Sequence, residues 1–449
     1  MELALKLLAI TNFKRKIFAS VIILVGLLLI IVLTIWATDY SSGGALRLPV
    51  GSVAPVISLG ETHGLILASD GSLWSWGSDF LGWPVLGLNK GSNQPRLRRI
   101  GHDTNWVGVS AAVEHNLALR SDGSIWSWGE NLNCQLGNGT TASMQNSPVP
   151  SSPGNDWKQV AAGAYSSFAL KTNGTLWAWG MNWAGELGLG YTNRSVTNAT
   201  QVGPATNWIK VWAGGLASVA MQSDGTLWYW RENPNPAFAQ GSNQIVVPTR
   251  ITPDTNWTDV GFGTEDTVFA IKSDGTLWAW GRQAHVYTGV TNQNLDTIPI
   301  RVGLDNDWRS ISACGNWWCQ GLTKTDGSTW LMDASDSKPN GPRSPYKPLR
   351  FRRIAFPSNY IAFTAGAAHD AAPGVHLPVG VVLTRDGEVW TWGMVLGDAR
   401  LNFWESLGQN FANRFHLNIQ FSDPKSEMRP TPWQLPHLEP EPSDASSKK

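Results

Sequence analysis

Three histidines, His63, His115 and His369, occupy one recurring slot of the chain, each just after a short strand-like run. Imidazole is the usual acid–base and metal-binding group near neutral pH. The same slot holds Ser166 in another copy, so the set reads as groups that satisfy loop backbone, not as ligands. Asp70, Asp122, Asn173, Asp224, Asp274, Asp326 and Asp386 each precede a glycine, which raises calcium chemistry. Each stands alone, without the alternating oxygen donors that calcium needs, and reads as turn chemistry. The cysteines are Cys134, Cys314 and Cys319, an odd number without Cys-x-x-Cys spacing, so they form neither a disulfide framework nor a zinc site. Cys314 and Cys319 read as buried free thiols, with a local bridge as the alternative outside the cytoplasm. There is no phosphate-binding glycine loop, no His-Glu-x-x-His and no Gly-x-Ser-x-Gly. The expectation is a protein that is not an enzyme and takes no cofactor and no metal. Sequons for N-glycosylation begin at Asn138, Asn173, Asn193, Asn198 and Asn256.

Those turn residues belong to a phrase that returns seven times, from SDGSLWSWG (69–77) to RDGEVWTWG (385–393), at intervals of 52, 51, 51, 50, 52 and 60 residues. A fixed period of that size marks a solenoid, a propeller or an array. Within each unit a strand leads into an Asn-Gly or Asp-Gly pair, read as a turn with positive φ, and a second strand leads out, as in SSFAL (166–170) and TLWAW (175–179). Trp177 and Trp179 are two apart and leave one face of their strand, and six of the seven units repeat the pair. Linker tryptophans Trp106, Trp157, Trp208, Trp257 and Trp308 run in phase at intervals of 51, 51, 49 and 51. Each opens a unit, and small residues such as VAAG (160–163) then mark an inner strand. Proline-bearing segments such as QPRLRRI (94–100), with solvent-facing arginines, suit an outer edge. The repeat-phased tryptophans, 13 in hairpins and 5 in linkers, make up 18 of the 26 and read as core. Four antiparallel strands in each of seven units specify an all-β, seven-bladed β-propeller.

The phrasing WGENLNCQLGNG (128–139) and WGMNWAGELGLG (179–190), after hairpins that end in Trp-Gly, resembles the regulator of chromosome condensation repeat family. The resemblance covers about 46–435, with departures at Arg231 in unit 4 and Met332 in unit 6. It implies a binding propeller. The family's eukaryotic founder is an exchange factor for the GTPase Ran, with a basic tail and a wedge in one blade. This chain has neither a basic tail nor a clear wedge. A plant ultraviolet-B photoreceptor also has this fold and uses surface tryptophans, but its Gly-Trp-Arg-His-Thr repeats are absent here. A secreted bacterial inhibitor of β-lactamases binds its target through a loop face.

Ahead of the repeats, residues 17–37 carry no charge across 21 positions, enough for a transmembrane helix of about 32 Å. Lys6, Lys14, Arg15 and Lys16 precede it and Asp39 follows, so residues 1–16 are expected in the cytoplasm and the propeller outside. A cleaved signal peptide is the alternative, although Ile35-Trp36-Ala37 is a poor small-x-small site. Residues 38–45 then form a flexible spacer, 46–435 the propeller and 436–449 a Pro- and charge-rich disordered tail. The formal net charge is zero, so nucleic acid is not an expected partner.

In a ring of four-stranded blades the Asp-Gly turns and the linkers share one face. The other carries the variable loops 77–93, 129–146, 180–198, 231–245, 281–297, 333–346 and 393–428. Trp83, Trp183, Tyr287 and Trp404 on those loops are the candidate contacts for an extracytoplasmic protein, or a glycan, and packing within their own loops is the competing reading. The function expected is a membrane-anchored protein-binding module. The alternatives are a guanine nucleotide exchange factor, if the topology is reversed, and a lectin-like propeller.

Overall fold

A computed structural model describes residues 46–432 apart from short breaks and the longer segments 232–245, most of 282–296, 313–320, 334–349, 369–376 and 393–430. The expected membrane helix, the spacer and the tail lie outside the described residues. Among those described, no helix is long and apolar enough to cross a membrane.

Seven four-stranded antiparallel sheets follow one another along the chain, each with its strands in sequence order. Blade 2 is typical: Trp106–Ala111 is the inner strand, followed by His115–Arg120, Ile125–Glu130 and the outer Met144–Pro150. In its hairpin, Asn116 faces Trp128 and Ala118 faces Trp126. Residues 47–431 form one compact unit.

The two tryptophans of each pair have different duties. The second is a plug: Trp128, Trp179, Trp230 and Trp280 are fully buried. The Trp128, Trp179 and Trp230 indole nitrogens donate at 2.9 Å to the carbonyls of Val85, Gln135 and Glu186, in the preceding blade's loop. Burying an indole removes roughly 150–250 Å² from water, about 4–6 kcal/mol at ~25 cal/mol per Å². Gly137, with φ +62°, lies flat over the Trp179 indole, and a Cβ there would collide with the ring. The first tryptophan is half-buried and meets the linker tryptophan edge-on, as Trp177 meets Trp157 at 6.0 Å and 84°.

The ring closes through the same contact that joins neighbouring blades. Between blades 1 and 2 the Trp106 N–H donates to the Gly71 carbonyl at 3.2 Å, and Gly71 packs against the linker carbonyl of Thr104. At the closure the Leu48 N–H donates to the Gly387 carbonyl at 2.7 Å, and Arg47 pairs with Glu388 at 2.8 Å. Among the described residues each sheet takes its four strands from one stretch of the chain, and a single antiparallel bridge between Arg47 and Glu388 links the two ends.

Candidate interaction face

The face that carries the turns is occupied with structural work. Its turn differs from the one expected. The Gly71 N–H donates to the Ala68 carbonyl and the Ala68 N–H to the Ser72 carbonyl, both at 2.9 Å. That is a type I turn closed by a glycine bulge, and only the glycine, at φ +82°, is left-handed. The aspartate is thereby free to use its side chain. Asp70 Oδ1 accepts from the Ser72 N–H (2.9 Å) and hydroxyl (2.5 Å), and Ser72 Oγ accepts from Trp74 Nε1 at 2.8 Å. The same relay runs through Asp122, Asn173, Asp224 and Asp274 to Trp126, Trp177, Trp228 and Trp278. Hydrogen bonds from Ser124 and Thr226 hold the Asp122 and Asp224 carboxyls below the usual carboxylate range.

Beside the relays of blades 2, 3 and 5, and at the matching place in blade 6, sequence reading missed a cation. Lys171 lies 4.7 Å from the Trp157 ring and 5.0 Å from the Trp177 ring, and pairs with Asp156 at 3.1 Å. Arg120 is placed likewise with Trp106, Trp126 and Asp103, Lys272 with Trp257, Trp278 and Asp254, and Lys324 with Trp308, Trp330, Asp305 and Asp307. Burial works against the Lys324 charge, yet hydrogen bonds to Asp307 and Asp305 outweigh it and raise its pKa. The arginines read as solvent-facing also have partners. Arg99 donates to the linker carbonyl of His102 at 2.9 Å and Arg301 to that of Leu304 at 2.9 Å.

On the opposite face, the first half of each loop is built alike in blades 1 to 3. The Leu86, Leu136 and Leu187 N–H groups donate to Asp79, Asn131 and Asn182, and all three leucines are fully buried. These polar caps pin a rigid loop base. Below it, His63 Nε2 donates to Asn116 Oδ1 at 2.7 Å and Asn116 donates to the Val85 carbonyl, while His115 donates to Ser167 at 2.8 Å. Burial, opposed by the Asn116 bond, lowers the His63 pKa to about 4, and burial with the nearby His63 lowers that of His115 to about 3. Both are neutral rings tying one blade to the next. His369 lies outside the described residues.

Glu114 and Glu130, 6 % and 2 % exposed, meet beneath the blade 2 loop. Burial, a hydrogen bond between the two carboxyls and the charges of Glu130 and Glu61 push Glu114 up to about 9. Gln135 donates to Glu130 at 2.6 Å, and the Glu130 N–H donates to the Glu114 carbonyl at 2.8 Å.

Of the four candidate contacts, Trp183 is 65 % exposed at the loop tip of blade 3. Trp83 is half-buried, and its carbonyl accepts from the Val85 N–H at 2.8 Å. Tyr287 and Trp404 lie outside the described residues. Sequence reading missed Leu132, 63 % exposed at the blade 2 position that corresponds to Trp183. The signal was present, since each residue directly follows its loop-capping asparagine, Asn131 or Asn182. Tyr191 and Val247, 46 % and 45 % exposed, stand where the blade 3 loop meets the segment leading to the outer strand of blade 4. Gly190 joins them: its N–H donates to the Val246 carbonyl at 2.9 Å.

Cys134 is a buried free thiol held at φ +62°, and Cys314 and Cys319 lie outside the described residues. Among the described residues no group of three or more His, Cys, Asp or Glu is placed to hold a metal ion.

The regulator of chromosome condensation (RCC1) repeat matches at residues 122–170, and a second form of the same repeat at 157–184. The chain is 32 % identical over 188 residues to the probable E3 ubiquitin-protein ligase HERC6 of Homo sapiens, covering 40 % of this chain and 18 % of that one. It is 31 % identical over 219 residues to the mitochondrial RCC1 domain-containing protein RUG3 of Arabidopsis thaliana, covering 47 % of each. It thus spans less than half the length of these relatives. Among solved structures, yeast RCC1 (Prp20) bound to Kap60 superposes with a TM-score of 0.51 at 16 % identity, over 80 % of this chain and 83 % of that one. Matched repeats and a superposable ring agree: the chain is a seven-bladed β-propeller that carries RCC1 repeats.

Proposed function

We propose that this propeller is a non-enzymatic protein-binding module that presents its loop face to a partner. The observation that carries the reading is the exposure of Trp183 and Leu132, 65 % and 63 %, at one repeat position in adjacent blades. Each stands on a base locked by a buried leucine and a polar cap, so little conformational freedom is lost on binding. A protein is already the partner of the superposable yeast RCC1, which holds Kap60. The charge-free residues 17–37 and the basic residues before them support an anchor with the propeller outside the cytoplasm. Photo-crosslinking tests the reading, with p-benzoylphenylalanine replacing Trp183 or Leu132 in the full chain in its host membrane. A discrete protein adduct at these sites, absent when the probe replaces Ser121 beside a turn, is the expected result. Adducts at Ser121 alone overturn it.

A further inference from the structure

The axis of the ring holds a cavity of about 320 Å³, walled by the inner strands of blades 1 to 5. Its wall is mostly apolar, with Val109, Val160, Val211 and Phe262 among the lining side chains. Gly108, Ala161 and Gly261 leave the space between them. The polar side chains on the wall are nearly all committed to joining blades. Ser58 accepts from the Ala111 N–H at 2.9 Å and Ser110 from the Ala162 N–H at 3.0 Å. Gln159 donates to the Val211 carbonyl at 2.7 Å and accepts from its N–H at 3.2 Å. Lys158 is the one charged residue among those described on the wall. It directly follows Trp157, which places it at the turn-face mouth, and it is exposed.

Two aromatics break the small-residue pattern: Phe262, at the position of Ala111, Ala162 and Ala213, and Trp212. Trp212 stands at the position held by Ser110 in blade 2, Ala161 in blade 3 and Gly261 in blade 5. It lines the cavity half-buried, against the core between blades 4 and 5. The Lys210 ammonium lies 5.4 Å from its ring. Asp259, beside Lys210, accepts from the Ile311 N–H at 2.8 Å, and burial raises its pKa against the opposing pull of the Lys210 charge.

We propose that the axial cavity is a binding site for a small apolar acid, a flat aromatic or branched aliphatic body bearing one carboxylate. The body lies against Trp212 and the valine wall, and the carboxylate meets Lys158 at the mouth. Concave, mainly apolar pockets of about 300–1,000 Å³ with a few placed polar groups are the usual form of small-molecule sites. The Lys158 ammonium at the mouth favours an anionic group there, while Lys210 stays beside the Trp212 ring and the Asp259 carboxyl.

The proposal goes beyond the loop-face reading and is tested apart from it. Calorimetric titration of the full chain with 2-naphthoate and with the neutral 2-naphthalenemethanol reads the charge preference directly. The acid is expected to bind one-to-one and at least tenfold more tightly. Lys158→Ala, a change at an exposed position, should remove that preference and leave the alcohol's affinity unchanged. Val107→Trp, at a 39 % exposed mouth position, should block both ligands with an unaltered thermal melt. No binding of the acid at millimolar concentration, equal affinity for acid and alcohol, or an unchanged preference in Lys158→Ala overturns the proposal. Crosslinking at Trp183 is read in the same samples, so loss of the axial site and loss of the loop face are separately visible.

Discussion

Gln222 accepts a hydrogen bond from Asn207 at 3.3 Å in the place where blades 2, 3, 5 and 6 set a cation against an acid. The Trp208 and Trp228 rings still meet at 5.9 Å and 82°, as their counterparts do. Both charges are missing together: glutamine replaces the cation, and Ala205 stands where blades 2, 5 and 6 have Asp103, Asp254 and Asp305. The cation is therefore part of a set, tied to its acid and not to the tryptophans alone. Restoring both, as Gln222→Lys with Ala205→Asp, should stabilise the protein by about 1 kcal/mol, from one partly exposed cation–π contact and one ion pair. Gln222→Lys alone should gain less. A double-mutant cycle on denaturant melts measures the coupling.

Trp179→Ala should cost about 3–5 kcal/mol, because the indole is fully buried between blades 2 and 3 and a cavity would remain. Denaturant melts of the full chain read this, and a loss below ~1 kcal/mol would show that the ring does not act as a plug.

The buried Glu114 sets a pH dependence of stability. Its folded pKa, about 9, lies above the ordinary glutamate value of 4.5, so the folded chain holds the proton more tightly than the unfolded one. Its favourable contribution is complete at acid pH, declines as pH rises above the unfolded value and is lost through the folded pKa. Glu114→Gln, which keeps the neutral hydrogen-bonding shape, should flatten the fall in melting temperature between about pH 5 and 9. A slope as steep as in the parent protein would place the titrating group elsewhere.

On the loop face, Trp183→Ala and Leu132→Ala should each reduce capture of the crosslinked partner while leaving the melt nearly unchanged, since both side chains are mostly in solvent. Ser121→Glu should leave capture intact. If the turn-side change abolishes capture and the loop changes do not, the working face is the other one.

Orientation in a membrane has its own test. A reporter enzyme active only outside the cytoplasm, fused after Lys449, should be active in the native chain, and Lys14, Arg15 and Lys16 changed to Glu should weaken that orientation. Activity of a cytoplasmic reporter alone would favour the exchange-factor alternative.

Blade number, strand order and a tryptophan core were legible because hairpin and linker phrases recur at a near-constant interval, but the separate duty of the half-buried first tryptophan of each pair was not. The turn type was not. An Asp-Gly pair fits both a two-residue turn with two left-handed residues and a type I turn with one, and only the hydrogen-bond register separates them. The cations escaped notice because Arg120, Lys171, Lys272 and Lys324 end strands far in sequence from the acids they meet. Trp183 was visible as an aromatic between glycine-rich phrases. Leu132 was not, since an aliphatic residue at a loop tip looks like core until it is aligned with its counterpart in the next blade.

Every other blade junction unites segments that are close in sequence, but the closing clasp of Arg47 and Leu48 with Gly387 and Glu388 spans 341 residues between Arg47 and Glu388. Loop-closure entropy for the whole circle therefore falls on one small joint. The six remaining junctions can form in order as the chain emerges, each beside a blade already folded. If the circle is fastened last, amide exchange should begin around Leu48 and Gly387, and a covalent staple there should slow unfolding more than the same staple at any other junction.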